Sequence, residues 1–322
     1  MRAIRIEAPG GPEVLQLVEL PTPAAGAGQA LVRVEAAGVN FIDIYQRSGI
    51  YKLDLPCTLG QEGAGVVEKV GAGVTEVAPG DRVAWAGPMG SYASHQVLPA
   101  ARLVRVPEGV DSRSAAAAML QGMTAHYLVN DTYRLKAGDV ALIHAAAGGV
   151  GQLFCQLARR AGAHVIGTAG GPDKVRLALQ AGAHDAIDYQ AADFEAEVKR
   201  LTGGKGAHVV YDSVGKETFE KSLKSLRPRG LLVLFGASSG PVPPLDLQRL
   251  AAGGSLYVTR PTLGTYVLTR EELVARAGAL LGAIQRGELK LRLEDALPLE
   301  KAADAHRLLA SRKTTGKLLL IP

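Results

Sequence analysis

From residue 139 onward the apolar positions follow a fixed alternation. A short apolar run, Val140-Ala141-Leu142-Ile143, gives way to helical spacing, with Val150, Phe154, Leu157 and Ala158 on one face and Gly162 as a stop. Further strands are predicted at 164–168, 185–188, 208–212, 231–235 and 255–259, with helices near 173–180, 191–201, 216–226 and 245–251 between them. Alternation of this kind builds a parallel sheet covered by helices on both faces. The first third reads differently. Residues 2–6, 30–34, 63–70 and 82–85 form short strands punctuated by Gly and Pro, which predicts a compact β-rich domain. Asp111-Ser112 opens an alanine-rich helix that runs on through Gly122-Met123-Thr124 to about Arg134 and bridges the two parts. A long helix is predicted over 271–286, capped by Thr269 with Glu272 three residues on. The apolar tail, 316–321, reads as a strand that rejoins the first domain.

Bulk properties narrow the class. At 322 residues the chain can bury a large core, and two domains are the natural expectation. Its 47% hydrophobic content excludes a disordered chain. The net charge of +5 is scattered, a pattern that fits a solvated surface and an anionic cofactor better than a nucleic-acid stripe. Two cysteines, Cys57 and Cys155, cannot make a disulfide framework, and Cys155 reads as a small core residue. Residues 1–7 carry no signal core and no apolar run is long enough to cross a bilayer, so a soluble cytoplasmic protein is expected.

Between the first strand and first helix of the alternating part stands Ala146-x-Gly148-x-x-Gly151. Glycines at this turn bring free amides and a positive helix end to a dinucleotide pyrophosphate. Gly148 lets backbone approach phosphate, and Gly151 lets the helix pack on the strand; alanine replaces the first glycine of the usual fingerprint. An NAD site places Asp or Glu about twenty residues further on, at the ribose 2′-hydroxyl. Here the second strand ends in Gly167-Thr168-Ala169-Gly170-Gly171, with no acid at its tip. That leaves room for a 2′-phosphate, and Lys174 follows near the positive start of the next helix, where a cation is disfavoured without an anion. Asp173 could supply that anion. Tyr189 could lie against the adenosine or simply pack. The missing acid together with Lys174 favours NADPH over NADH.

Several segments together resemble the zeta-crystallin-type quinone oxidoreductases of the medium-chain dehydrogenase/reductase superfamily. They are Ala37-Gly38-Val39-Asn40-Phe41-Ile42-Asp43, Gly60-Gln61-Glu62-Gly63-Ala64-Gly65, Gly80-Asp81-Arg82-Val83, the glycine turn from Ala145 to Gly151, Val209-Val210-Tyr211-Asp212-Ser213-Val214-Gly215, and Gly254-Ser255-Leu256-Tyr257-Val258-Thr259-Arg260-Pro261. The resemblance implies an α/β protein with a GroES-like catalytic domain over 1–122, completed by 265–322, and a doubly wound Rossmann domain over 123–264. It places the active site in the cleft between them and implies a homodimer joined through the Rossmann sheets near 255–259. By similarity, cofactor contacts fall on Asn40, Thr124, Gly148, Gly149, Val150, Thr168, Lys174, Tyr189, Ser213, Phe235, Ser238 and Arg312. Asn40, Tyr45, Tyr51 and Gln61 would face the substrate.

Zinc alcohol dehydrogenases of the same superfamily carry a cysteine where Asn40 stands and a histidine where Gln61 stands. Zinc needs sulfur or imidazole in tetrahedral array, so no metal is expected. The seven histidines, His95, His126 and His144 among them, show no ligand spacing. Without a Lewis acid the acceptor must take hydride readily, and a quinone does so because its charge spreads over a ring and two oxygens. Tyr45, Tyr51 and the side-chain amides of Asn40 and Gln61 are candidate donors to the developing oxyanion; rim packing is the plainer reading of both tyrosines, and for Tyr51 it weighs equally. None is an evident general acid, so water would supply the final proton. The expectation is NADPH-dependent reduction of small quinones. Its rivals are reduction of an enal or enone double bond and an NADPH-dependent RNA-binding or structural role. Aromatic residues are only 5% and form no cluster for stacking, which counts against the last.

Overall fold

The apolar run Val140–Ile143 is the third strand across a six-stranded parallel sheet in the computed structural model, which describes every residue from Met1 to Pro322. The order across this sheet is Asp185–Asp188, His164–Ala169, Val140–Ile143, Ala207–Asp212, Leu226–Leu234 and Tyr257–Thr259. All five pairings are parallel. The chain winds outward in one direction through its first three strands and then reverses, so a topological switch point falls between Val140–Ile143 and Ala207–Asp212. Crossovers run through the helices Gly149–Arg160, Pro172–Gln180, Phe194–Leu201 and Phe219–Lys224. Leu142, Ile166, Val210 and Leu232 on the strands and Phe194, Val198 and Phe219 on the helices form one apolar core.

Some boundaries depart from the periodicity, each for a local reason. The fourth crossover helix is shorter than 216–226, because the chain has already entered the next strand at Leu226. Asp193 delays the preceding one until Phe194, its carboxylate accepting from the amides of Glu195 and Ala196 at 2.9 and 3.4 Å. The last strand begins at Tyr257 rather than 255, since Ser255 sits at φ 58, in the left-handed region. The bridging helix is regular only over Ser112–Tyr127 and widens into a π-type turn at Leu128–Thr132. There the Asn130 amide donates to the His126 carbonyl at 2.9 Å and competes with the helical ladder.

Residues 124–266 form one compact unit, and residues 1–123 with 267–322 form the other. The second of these is β-rich. Its larger sheet contains seven strands, centred on Gln29–Gly38, which pairs antiparallel with Glu62–Val70, His95–Pro99 and the C-terminal Leu319–Ile321. A three-stranded sheet of Gln16–Glu19, Arg2–Ile6 and Cys57–Thr58 completes it. Ile4, Val32, Trp85, Tyr92, Leu98 and Leu103 fill the core. The tail strand sets Leu319 opposite Gly38, and the strand over 63–70 reaches Glu62, which together bring the neighbourhoods of residues 38, 62 and 317 to one place. Thr269 and Glu272 cap the Arg270–Gln285 helix reciprocally, as the spacing predicts. Two helices were not anticipated from the sequence: Phe41–Arg47 and Ala302–Ala310.

Candidate active site

The helix Gly149–Arg160 opens with Gly148 at its N-cap in extended backbone, and no side chain caps it. Its first amides are therefore left for an outside acceptor. Gly151 is required by close approach. A Cβ there would overlap the carbonyl oxygen of Ala145 and lie 2.7 Å from Ala146 Cα, so any larger residue pushes the helix off the turn. The left-handed position of the turn is Ala145, at φ 53, one residue before the alanine aligned with the first glycine. Ser213, Phe235 and Ser238 gather beyond the strand ends on the other side of the switch point. The Ser213 carbonyl accepts from the Ser238 amide at 3.1 Å, and the Phe235 amide donates to the Asp212 carbonyl at 2.9 Å. An uncapped helix, a closely packed glycine turn and a switch point fit a dinucleotide pyrophosphate.

Around the second strand the acidic groups are committed elsewhere. Asp188, at the end of the Asp185–Asp188 edge strand, accepts the amides of Gly171 at 2.9 Å and Gln190 at 3.0 Å. Asp173 pairs with Arg176 at 2.5 Å. Lys174 stands in the first turn of the Pro172–Gln180 helix, and partial burial lowers its ammonium pKa. A cation held so, at a positive helix end, gains from an added phosphate. Tyr189 is half exposed, with its hydroxyl over Gly170, where a Cβ would lie 2.6 Å from it. Thr168 is buried, and its hydroxyl is hydrogen-bonded to His144 Nδ1 at 2.9 Å. His144 in turn meets Ser222 at 2.9 Å, and Ser222 donates to Asp212 at 2.8 Å. All four side chains are enclosed, and burial lowers the His144 pKa, so a neutral imidazole sits in a structural network under the turn.

In the other unit, Asn40 precedes the Phe41–Arg47 helix and is buried. Its Nδ2 donates to Glu62 Oε2 at 2.8 Å and to the Gly38 carbonyl at 3.3 Å, and its Oδ1 accepts from Lys317 Nζ at 2.6 Å. Lys317 also pairs directly with Glu62, whose other oxygen accepts the Leu120 amide at 2.6 Å. Both hydrogens of the Asn40 amide are thus taken, which corrects its expected use as a donor to a substrate oxyanion. Gln61 is less constrained: its Nε2 has only a 3.6 Å contact to Met89 Sδ. Tyr45 and Tyr51 stack edge to face at 5.6 Å, and Tyr51 is exposed. Thr124 belongs to the parallel-sheet unit with the glycine turn, while Asn40 and Arg312 belong to this one.

A second buried chain starts from the same asparagine. The Asn40 backbone N–H donates to Asp43 Oδ2 at 2.8 Å, as does the Tyr92 hydroxyl at 2.8 Å. Tyr92 meets His306 Nε2 at 3.1 Å, and Arg47 donates to His306 Nδ1 at 3.2 Å. Because Arg47 can only donate, Nδ1 is the acceptor and Nε2 carries the proton toward Tyr92. Burial pushes the Asp43 carboxyl up to about 7 and the His306 imidazole down to about 3. Glu62, Lys317, Asp43, Tyr92 and His306 are the members the sequence reading missed. Glu62 and Asp43 stand inside quoted motifs, and Ala302, Ala305, His306 and Leu309 repeat at helical spacing, a signal that was there to be used.

Residues 149–277 match the zinc-binding dehydrogenase family and residues 26–108 match the alcohol dehydrogenase GroES-like domain. The side chains do not fit zinc: no group of three His, Cys, Asp or Glu could hold a metal, and beside Asn40 stands the ammonium of Lys317. The chain is 49% identical over 323 residues to the quinone oxidoreductase of Pseudomonas aeruginosa, covering 100% of this chain and 99% of the relative. It is 41% identical over 321 residues to the 2-haloacrylate reductase of a Burkholderia species, covering 97% and 96%. The solved quinone oxidoreductase of Escherichia coli complexed with NADPH matches with a TM-score of 0.97 and 45% identity over 100% of both chains. The chain belongs to the quinone oxidoreductase family of the medium-chain dehydrogenase/reductase superfamily.

Proposed function

We propose that this protein is a zinc-independent NADPH:quinone oxidoreductase acting on small quinones. One observation carries the reading: the uncapped, glycine-packed helix start at the switch point of a sheet whose second strand has no free acid at its tip. Membership of the family supplies the acceptor. Bound NADPH would provide the hydride. The Gly149 and Val150 amides would hold its pyrophosphate and Lys174 its 2′-phosphate, with Gly148, Tyr189, Thr168, Ser213, Phe235, Ser238, Thr124, Arg312 and Asn40 completing the nucleotide's surroundings. Tyr45, Tyr51 and Gln61 would donate to the quinone oxygen as charge arrives there, and water would deliver the proton. Chemistry of this kind requires orientation more than acid catalysis, which suits a site without a metal ligand set. We further place the protein in a reducing, cytoplasmic setting, consistent with free Cys57 and Cys155, and as a homodimer through the Tyr257–Thr259 edge.

NADPH absorbance followed with a benzoquinone, a naphthoquinone, an enal and 2-chloroacrylate, each with and without chelator, tests the reading. Quinones should be turned over at a rate chelator does not change. Oxidation of NADPH by none of the quinones, or its loss on chelation, refutes it. The 41% identity to a 2-haloacrylate reductase supports a second reading, double-bond reduction. That reaction must protonate carbon, and turnover of the haloacrylate exceeding that of every quinone would favour it.

A further inference from the structure

Neither Glu62 nor Lys317 has a place in the reading above, yet both are buried and both end on Asn40. They lie 255 residues apart in the chain, and their ion pair is enclosed in the β-rich unit. The space they use is left by Gly38: a Cβ there would overlap Glu62 Oε2 and lie 2.9 Å from Lys317 Cε. The polarity of the arrangement is what distinguishes it from mere packing. An ammonium can only donate and a carboxylate can only accept. A carboxamide set between them has one permitted orientation, with Oδ1 toward Lys317 and Nδ2 toward Glu62.

We propose that Lys317 and Glu62 are positioning residues that lock the Asn40 carboxamide in this single orientation. Asn40 then presents to the nucleotide site only the remaining lone pair of Oδ1. It is an acceptor for a ligand N–H or O–H group, and it is closed to a developing oxyanion. This rests on Asn40 belonging to the bound nucleotide's surroundings, as proposed above. The ordering extends further along the chain, because Glu62 also holds the Leu120 amide in the helix that leads to Thr124.

The test removes the polarity while keeping the volume. In Lys317→Met alone, Glu62 keeps its hydrogen bonds from Asn40 and Leu120 but has no countercharge, and the melting temperature should fall. The double variant Lys317→Met/Glu62→Gln carries no charge at either position and should recover most of that loss. The carboxamide introduced at position 62 can donate or accept, however, so Asn40 is free to turn over. We expect kcat with quinone in the double variant to drop about 10-fold or more, as for other groups that orient a contact residue. NADPH affinity by fluorescence titration should change less than about twofold, since the glycine turn and Lys174 are untouched. A readout independent of turnover is solvent exchange of the Asn40 Nδ2 hydrogens, assigned by their loss in Asn40→Asp. They should be protected in the wild type and exposed in the double variant. Gly38→Ala, which crowds the pair without deleting a charge, should also lose the protection. A double variant that regains both stability and full kcat, or that keeps the exchange protection, overturns the proposal. Should the wild type reduce no quinone, the proposed function fails, while the exchange comparison still decides what Lys317 does.

Discussion

A missing methyl group at residue 151 decides how near the Gly149–Arg160 helix comes to the turn that precedes it. The obstacle to a Cβ there is the backbone of Ala145 and Ala146, which cannot rotate aside as a side chain could. Gly151→Ala should therefore cost about 1–3 kcal/mol of stability, and NADPH affinity should fall with it as the first amides swing away. Gly148→Ala meets its nearest atom, the Ala145 oxygen, at 3.2 Å and should be milder. Thermal unfolding and fluorescence titration of the two variants check this, and equal effects would contradict the close-packing account. At Lys174 the issue is charge. Its neighbour Asp173 is taken up by Arg176, and a phosphate is the anion that would compensate its lowered pKa. Lys174→Ala should reduce the preference for NADPH over NADH by about 10-fold, or about 1.4 kcal/mol, with NADH kinetics unchanged. Equal losses for both nucleotides would remove Lys174 from the 2′-phosphate site.

Two short helices, Phe41–Arg47 and Ala302–Ala310, carry opposite titrating groups into one buried chain, Asp43 and His306 joined through Tyr92. In the folded protein Asp43 keeps its proton up to about pH 7, whereas unfolded it ionises near 3.8. Between those values the folded state binds more protons, so this group makes stability fall as pH rises. His306 acts the other way. It stays neutral down to about 3 when folded but takes up a proton near 6.5 when unfolded, so stability falls as pH drops through that window. From about pH 4 to 6.5 the two slopes oppose. Asp43→Asn leaves His306 unbalanced, and relative to wild type it should lose about 1.4 kcal/mol per pH unit on acidification through that range. His306→Gln should show the reverse slope. Urea midpoints measured across the range decide it, and parallel curves for Asp43→Asn and wild type would mean the pair does not titrate as described. These helices also mark where reading the sequence stopped. The alternation after residue 139 was visible because each strand and helix repeats its own period, and the Thr269 cap because its two partners lie three residues apart. Asp43, Tyr92 and His306 meet across separations of 49 and 214 residues, and Lys317 reaches Asn40 across 277. Such contacts leave no local period, so the site residues were legible one by one while the network that orients them was not.

At the scale of the whole molecule, both units are organised by a sheet, and they differ in how the sheet ends. Strands of the β-rich unit are short at the rim, with two-residue strands at Leu297–Pro298 and Val104–Arg105. The parallel sheet instead ends on Tyr257–Thr259, which pairs on one side only, through Leu231, Leu232 and Val233. Tyr257 is 60% exposed there. An open strand edge bearing a large aromatic side chain invites another strand, and proteins usually cover it. A second copy of the same edge, related by a two-fold axis, would cover both at once in a contact that closes on itself. Sedimentation at micromolar concentration should therefore give twice the 33.6 kDa of the chain. In Tyr257→Arg the two-fold axis would bring the new cations of both copies near each other and remove two aromatic contacts. The dimer dissociation constant should rise by about 10-fold or more, equivalent to about 1.4 kcal/mol. NADPH binding by the separated chains should persist, because the glycine turn and Lys174 lie on other elements of the sheet. A wild type that sediments as a monomer, or a Tyr257→Arg variant as tightly paired as the wild type, would show that this edge is not where two copies meet.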